Sequence, residues 1–253
     1  MATKAKHNLP IKAASLVILA LLWWFLALWI SDPMTLSTPL AVGQAITHEF
    51  SEGRLIQHLG ATGFRVLLAF LFAMSIGGIL GYIMGRFPRI NAWLDTWLIF
   101  FLNLPALVII VLCYLWIGLN ETAAIFAVTL NKIPLVASIF REGARAQNIE
   151  LRELSQVYKM SFTTKLRHIT LPELAPTIAS AARAGLSVIW KIVLVVEFLG
   201  RSSGIGFQIH LHFQQFNVTM VLAYALSFVA CILLLEFAIA QPIERRVNAW
   251  RSK

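Results

Sequence analysis

The chain has 253 residues, 58% of them hydrophobic and only 13% charged, with a mean hydropathy of +0.75. A soluble domain carries about twice that share of charge, so a disordered tail, a secreted disulfide scaffold and an ordinary soluble enzyme are excluded. A formal charge of +9 would suggest nucleic acid in a polar chain, but here the apolar content overrides that reading.

A bilayer core about 30 Å thick needs about 20 helical residues per crossing. Uncharged runs of that length cover 13–31, 66–85 and 96–120. The first follows Lys4, Lys6 and Lys12 as a secretory signal would, but Ile-Ser-Asp-Pro after Trp29 offers no small-x-small cleavage site, so an uncleaved helix is expected. The second contains Gly77, Gly78, Gly81 and Gly85, and Gly81 and Gly85 make a small-xxx-small face for close helix packing. In the third, Pro105 predicts a kink or a short re-entrant piece.

Two further stretches are long enough but interrupted: 123–140 by Asn131 and Lys132, and 175–199 by Arg183, Lys191 and Glu197. The run 202–235 is too long for one helix. Its first part, 202–216, is rich in Gln and His and reads as an outer interfacial loop or amphipathic helix with Gly204 and Gly206 as flexible points, placing the crossing at 218–240. Six crossings result, in an all-α polytopic membrane protein with a single transmembrane domain over 1–253. Cys113 and Cys231 lie inside crossings as small apolar residues, and His210 and His212 make too weak a pair to expect a metal.

With the N-terminus inside, the inner segments hold 15 Lys and Arg and the outer loops 2, Arg54 and Arg201. Basic residues collect on the cytoplasmic side, so both termini are expected there. This distribution explains the positive charge and removes the nucleic-acid reading.

The longest inner loop, 141–172, needs structure of its own. Leu151, Leu154, Val157 and Tyr158 form an apolar stripe opposite Arg152, Glu153, Gln156 and Lys159, which predicts a short amphipathic helix. Ser161 and Thr163 are candidate N-caps of a second short helix carrying Leu166 and Ile169, which Pro172 ends. The stripe either lies on lipid or docks a cytoplasmic partner.

Glu153-Leu154-Ser155, three residues, Lys159, nine residues and Ile169-Thr170-Leu171-Pro172 resemble the signature loop of binding-protein-dependent ABC importer permeases, Glu-Ala-Ala, three residues, Gly, nine residues, Ile-x-Leu-Pro. Pro105 with 116–121 (Trp-Ile-Gly-Leu-Asn-Glu), the fifth crossing with Arg183 and Glu197, and Gly204-Ile205-Gly206-Phe207 resemble the branch of taurine, aliphatic sulfonate and nitrate permeases, over roughly 40–245. The departures are Leu154-Ser155 for Ala-Ala and Lys159 for the glycine. Glycine suits a left-handed turn, so either the first short helix runs one residue further or Lys159 is strained.

The resemblance implies a type I ABC importer permease-like fold in the bacterial inner membrane. It implies a second copy of the chain, two cytoplasmic ABC ATPases, an external substrate-binding protein and surrounding lipid as partners. No phosphate-binding G-x-x-x-x-G-K-[ST] motif occurs, so ATP and Mg are expected on the ATPase, and the chain itself is expected to hold no cofactor and to catalyse nothing. Glu153, Leu154, Ser155, Tyr158, Lys159 and Met160 are the expected docking residues, with Leu154, Tyr158 and Met160 as apolar anchors. Glu153 either pairs with a basic residue of the ATPase or caps its own loop. A stand-alone secondary transporter or channel is the competing reading; it gives the structured inner loop no purpose. An intramembrane protease would need a base, and all six histidines fall outside the spans.

Ionisable groups in hydrocarbon cost about 2.5–3.5 kcal/mol each on insertion scales and face protein or water. Arg183 and Glu236 share the inner half of their helices and are expected to pair, and Arg65, Glu121 and Glu197 form a second expected cluster near the outer ends. Lys132 and Lys191 lie nearer mid-membrane without an acid at their depth. They either snorkel or line a path for a small anion, with Asn131 and Trp190 beside them.

Overall fold

The structure, a computed structural model, describes residues 9–235. All regular elements among them are helices. Helix α1 (Leu9–Ile30) is apolar from Ala14 onward and meets the rest of the chain near its end, where Trp23 Nε1 donates to Ser37 O at 3.0 Å. Helix α2 (Pro39–Ser51) is not among the expected elements. Its signal is the dipeptide Thr38-Pro39: Thr38 Oγ1 accepts from the Ala41 N–H, and a proline at N1 lacks only an N–H that would be orphaned anyway.

The centre is the pair α3 (Arg54–Arg86) and α6 (Glu121–Arg145). A Cβ built on Gly77 would sit 2.8 Å from Ile133 O, and Cβ atoms on Gly81 and Gly85 would overlap the carbonyls of Ala137 and Arg141. Glycines four apart thus meet carbonyls four apart, backbone against backbone. The small-residue face expected from Gly81 and Gly85 is present and extends to Gly77.

Helices α4 (Pro88–Asn103) and α5 (Ala106–Ile117) meet at a 95° bend. Pro105 has no N–H and pushes Leu104 into the extended region, φ −70° and ψ 127°. Asp95 near the start of the pair binds Arg141 at one end of α6, while past its end Leu119 O accepts from Arg201 at 3.0 Å, at the other end of the bundle. The pair thus has contacts toward both ends of the bundle, as a broken span would.

The inner loop opens into α7 (Ile149–Val157) and α8 (Phe162–Lys165). Ser161 caps α8 as expected, its Oγ accepting from Thr164 N–H at 3.2 Å. The chain does not stop at Pro172. A π turn, Leu166–Thr170, leads straight into α9 (Leu171–Gly200), and this wider turn passes a proline that a regular α-turn would clash with. Helices α10 (Ile205–Gln214) and α11 (Val218–Leu235) complete the described chain. By length and composition four of the described helices, α3, α6, the run Phe162–Gly200 and α11, can cross a membrane, or five if the bent pair counts as one span. The largest core cluster, in which Val66, Ile110, Val128, Ile189, Val193 and Tyr224 pack together, lies in the half of the bundle where α3 and α6 start, the half expected to face outward.

Candidate transport path and coupling element

The end of the bundle where α3 starts and α9 finishes, the end expected to face outward, is tied by a buried ionic knot. Arg65, 3% exposed on α3, makes a hydrogen bond for each of its five N–H groups. Two go to Glu121 on α6 (2.8 and 2.6 Å), one to Glu197 on α9 (2.6 Å), and two to the carbonyl and hydroxyl of Ser203 (2.7 Å each). Glu197 is wholly buried and also accepts from Thr62 Oγ1 at 3.0 Å and the Gly206 N–H at 2.8 Å. Arg201 adds a bond to Glu121 at 2.7 Å. Such a pair is tolerable in a low-dielectric interior because every donor and acceptor is used.

Glycines 204 and 206 were expected to be flexible points; they are close-packing points instead. Gly204 has φ +108° and ψ 171°, a backbone open to glycine, and a Cβ there would enter the Glu197 carboxylate. A Cβ on Gly206 would lie 2.7 Å from Glu197 Cβ. The Gly-Ile-Gly motif therefore lets the chain leaving α9 fold back onto the knot. Thr62 and Ser203 belong to it too, and nothing in their local sequence distinguishes them.

A second outer contact centres on Glu49 of α2, which is buried. It accepts from Tyr224 Oη at 2.5 Å and Arg54 Nη2 at 2.6 Å, clasping α11 and α3. The Arg54 guanidinium holds the Glu49 carboxyl below the usual carboxylate range, against the upward pull of burial.

Within the bundle the four expected path residues separate. Lys191 is exposed on the face of α9 that also exposes Arg183 and Ser187, spaced four apart. Trp190 turns inward, its ring edge-on to Phe228 at a centroid distance of 5.8 Å, and is a core residue. Asn131 is half-buried. Lys132, 7% exposed, lies near the midpoint of α6, about 16 Å from the helix start at 1.5 Å per residue. Its neighbour one turn back, Thr129, has a buried hydroxyl without a hydrogen-bond partner. Glu236 falls outside the described residues, and with it the expected pair to Arg183.

At the opposite end α7 leaves its apolar stripe uncovered: Leu151, Leu154, Val157 and Tyr158 are all exposed. Ser155, expected among the docking residues, is instead buried at 3%, because the residue after Leu154 points about 100° away, into the protein. Met160 is half-buried, and Glu153 is exposed and makes no hydrogen bond to its own loop among the described residues. Lys159 has φ +48°. Its N–H bonds Gln156 O and the Met160 N–H bonds Ser155 O, both at 3.0 Å, which is the Schellman closure of a helix with Lys159 where glycine is usual. The first of the two expected alternatives, a longer helix, is thereby replaced by the second, a strained lysine.

A proline-broken helical bundle with ionisable side chains along its apolar helices and a short amphipathic helix left exposed at one end defines a polytopic helical membrane protein. The chain belongs to the family of binding-protein-dependent transport system inner membrane components, which matches residues 73–248. It is an ABC importer permease of the taurine and sulfonate branch. SsuC of Escherichia coli K12, assigned to aliphatic sulfonate transport, is 32% identical over 88% of this chain and 84% of its own. TauC, the taurine transport system permease protein of the same organism, is 27% identical over 98% and 92%. Among solved structures, an inward-facing conformation of the MetNI methionine ABC transporter superposes with a TM-score of 0.65 at 19% identity, covering 79% of this chain and 98% of that one.

Proposed function

We propose that two copies of this chain enclose the path of an ATP-driven importer for a small anion, of the size and charge of an alkanesulfonate. The anion is delivered by a substrate-binding protein at the outer end, and two cytoplasmic ATPases, which carry ATP and Mg, drive the path. The carrying observation is the exposed face of α9, where Arg183, Ser187 and Lys191 recur four apart in a helix that crosses the membrane. Cationic groups at this depth do not face lipid, so this face turns toward a protein-lined aqueous space. A second copy related by a two-fold axis encloses that space and doubles its positive charge. Lys132 beside the unpartnered Thr129 hydroxyl adds a buried cation further down the same bundle. The taurine and sulfonate relatives support the class of solute.

The orientation follows from the basic inner loops, with both termini in the cytoplasm and six crossings, α1 being the first and the bent α4–α5 pair the third. The docking surface for the ATPase is Leu154, Val157 and Tyr158 of α7, with Met160 at its edge and Glu153 available to a basic residue of the partner. Closure of the ATPase pair moves α7, and the continuous run from α8 through the π turn into α9 transmits the motion to the path-lining face.

Lys191→Met tests the path in the assembled importer. Uptake of a sulfonate is expected to fall severalfold with ATPase assembly intact. Uptake kinetics equal to the unaltered protein would remove Lys191 from the path.

A further inference from the structure

We infer that the cleft at the inner end of the bundle is an oxyanion site that takes the phosphate of an anionic phospholipid headgroup. The cleft, about 290 Å³, lies between the ends of α3 and α6 and the starts of α7 and α9. Arg86, Arg145 and Lys165 line it, against a single carboxylate, Glu173. That carboxylate is engaged by the Asn148 N–H at 3.1 Å. Lys165 is half-buried and its ammonium has no hydrogen bond or ion pair among the described residues. The Gln147 amide nitrogen is enclosed and also lacks an acceptor. Arg145 has one bond to Glu142, at 3.2 Å, which leaves other N–H groups of its guanidinium for a ligand. Lys165, the Gln147 amide and the remaining N–H groups of Arg145 thus leave the cleft with donors and positive charge that no protein acceptor among the described residues takes up. A phosphate group supplies several anionic acceptor oxygens in one small volume.

The rim points to lipid as the source. Arg86 ends a membrane-crossing helix, and the next residues are Phe87, exposed, and Pro88, which lines the cleft and starts α4. Helix α4 then exposes Trp93 at 82% and Trp97 at 65%. Aromatic side chains of this kind sit at headgroup level, and basic clefts between crossings on the cytoplasmic side hold lipid headgroups. A headgroup seated here touches the bundle through α3 and α6 and the coupling element through the start of α7 and Lys165 of α8. With the coupling role proposed above for α7, on which this consequence rests, the headgroup braces α7 and α8 against α3 and α6.

The test is lipid retention by the complete importer, measured by native mass spectrometry after exchange into neutral detergent with phosphatidylglycerol, or with phosphatidylcholine as the zwitterionic control. The unaltered complex is expected to retain phosphatidylglycerol. Arg145→Gln combined with Lys165→Gln should weaken that retention about tenfold, the loss of one charge-assisted hydrogen bond or more, while phosphatidylcholine, whose choline cation offsets its phosphate charge, is retained weakly by both. Lys165→Arg should keep it. Should the double variant fail to assemble, Lys165→Gln alone carries the same comparison, and an unchanged melting temperature in phosphatidylcholine shows that loss of lipid is not loss of fold. Equal retention by variant and unaltered complex would overturn the site. Displacement of the lipid by inorganic phosphate at equal concentration would overturn the lipid assignment and leave a site for a soluble oxyanion.

Discussion

Arg65 Nη1 lies 2.6 Å from Glu197 Oε1, joining α3 to α9 at the outer end of the bundle with both side chains almost wholly buried. The same carboxylate holds the Gly206 N–H, so the pair fixes the chain beyond α9 as well as the two helices.

Removing one partner of this pair leaves a buried charge behind. Arg65→Ala is expected to cost about 3–5 kcal/mol and to lower the melting temperature of the complex by several degrees. Glu197→Gln keeps the shape and should be milder, while Gly204→Ala, which drives a methyl into the carboxylate, should match the arginine loss. Thermal unfolding of the purified complex checks the order. Equal melting temperatures for Arg65→Ala and the unaltered protein would refute the knot's structural role.

Gly81 stands directly on the Ala137 carbonyl. A methyl there pushes against backbone, not against a side chain that can rotate away. Gly81→Ala is expected to destabilise by about 1–3 kcal/mol, and Gly81→Leu to separate α3 from α6 altogether. Gly63, whose Cβ position has nothing within 4 Å, is the control on the same helix: Gly63→Ala should be neutral or slightly stabilising in the same melting assay.

Lys159 adopts a left-handed backbone at a cost of about 1 kcal/mol relative to glycine. Lys159→Gly should recover that amount in unfolding experiments and leave transport intact. Leu154→Glu places a charge on the exposed stripe without disturbing the fold. It should abolish solute-stimulated ATP hydrolysis in proteoliposomes while the chain still inserts and dimerises. Transport at the unaltered rate would remove α7 as the docking element.

Because Arg54 keeps the Glu49 carboxyl ionised to lower pH than in the unfolded chain, the contact contributes stability that is complete above the ordinary carboxylate range. It is lost as the pH falls through the depressed folded value. Melting temperature recorded against pH at the outer side should therefore drop on the acid limb, and Glu49→Gln should start lower and flatten that limb.

The residues of the chain by themselves establish a membrane-embedded helical protein, because uncharged runs of crossing length have no other stable placement. They also mark the break at Pro105, the close face at Gly81 and Gly85, and the helix of the inner loop, since each rests on local backbone chemistry or on periodicity. The charges within or at the edges of apolar runs single out Arg65, Glu121 and Glu197, but proximity in a bundle is decided by packing, and only the fold brings them to one knot with Thr62 and Ser203. Tertiary structure alone separates Lys191, on an open face, from Trp190 beside it in the core, since one step of 100° along a helix is meaningless until the neighbouring helices are known. It likewise turns Ser155 inward and forces Lys159 into a left-handed turn. It also carries the helix through Pro172 by way of a π turn, a rearrangement of hydrogen bonds that proline permits but whose place local sequence does not choose.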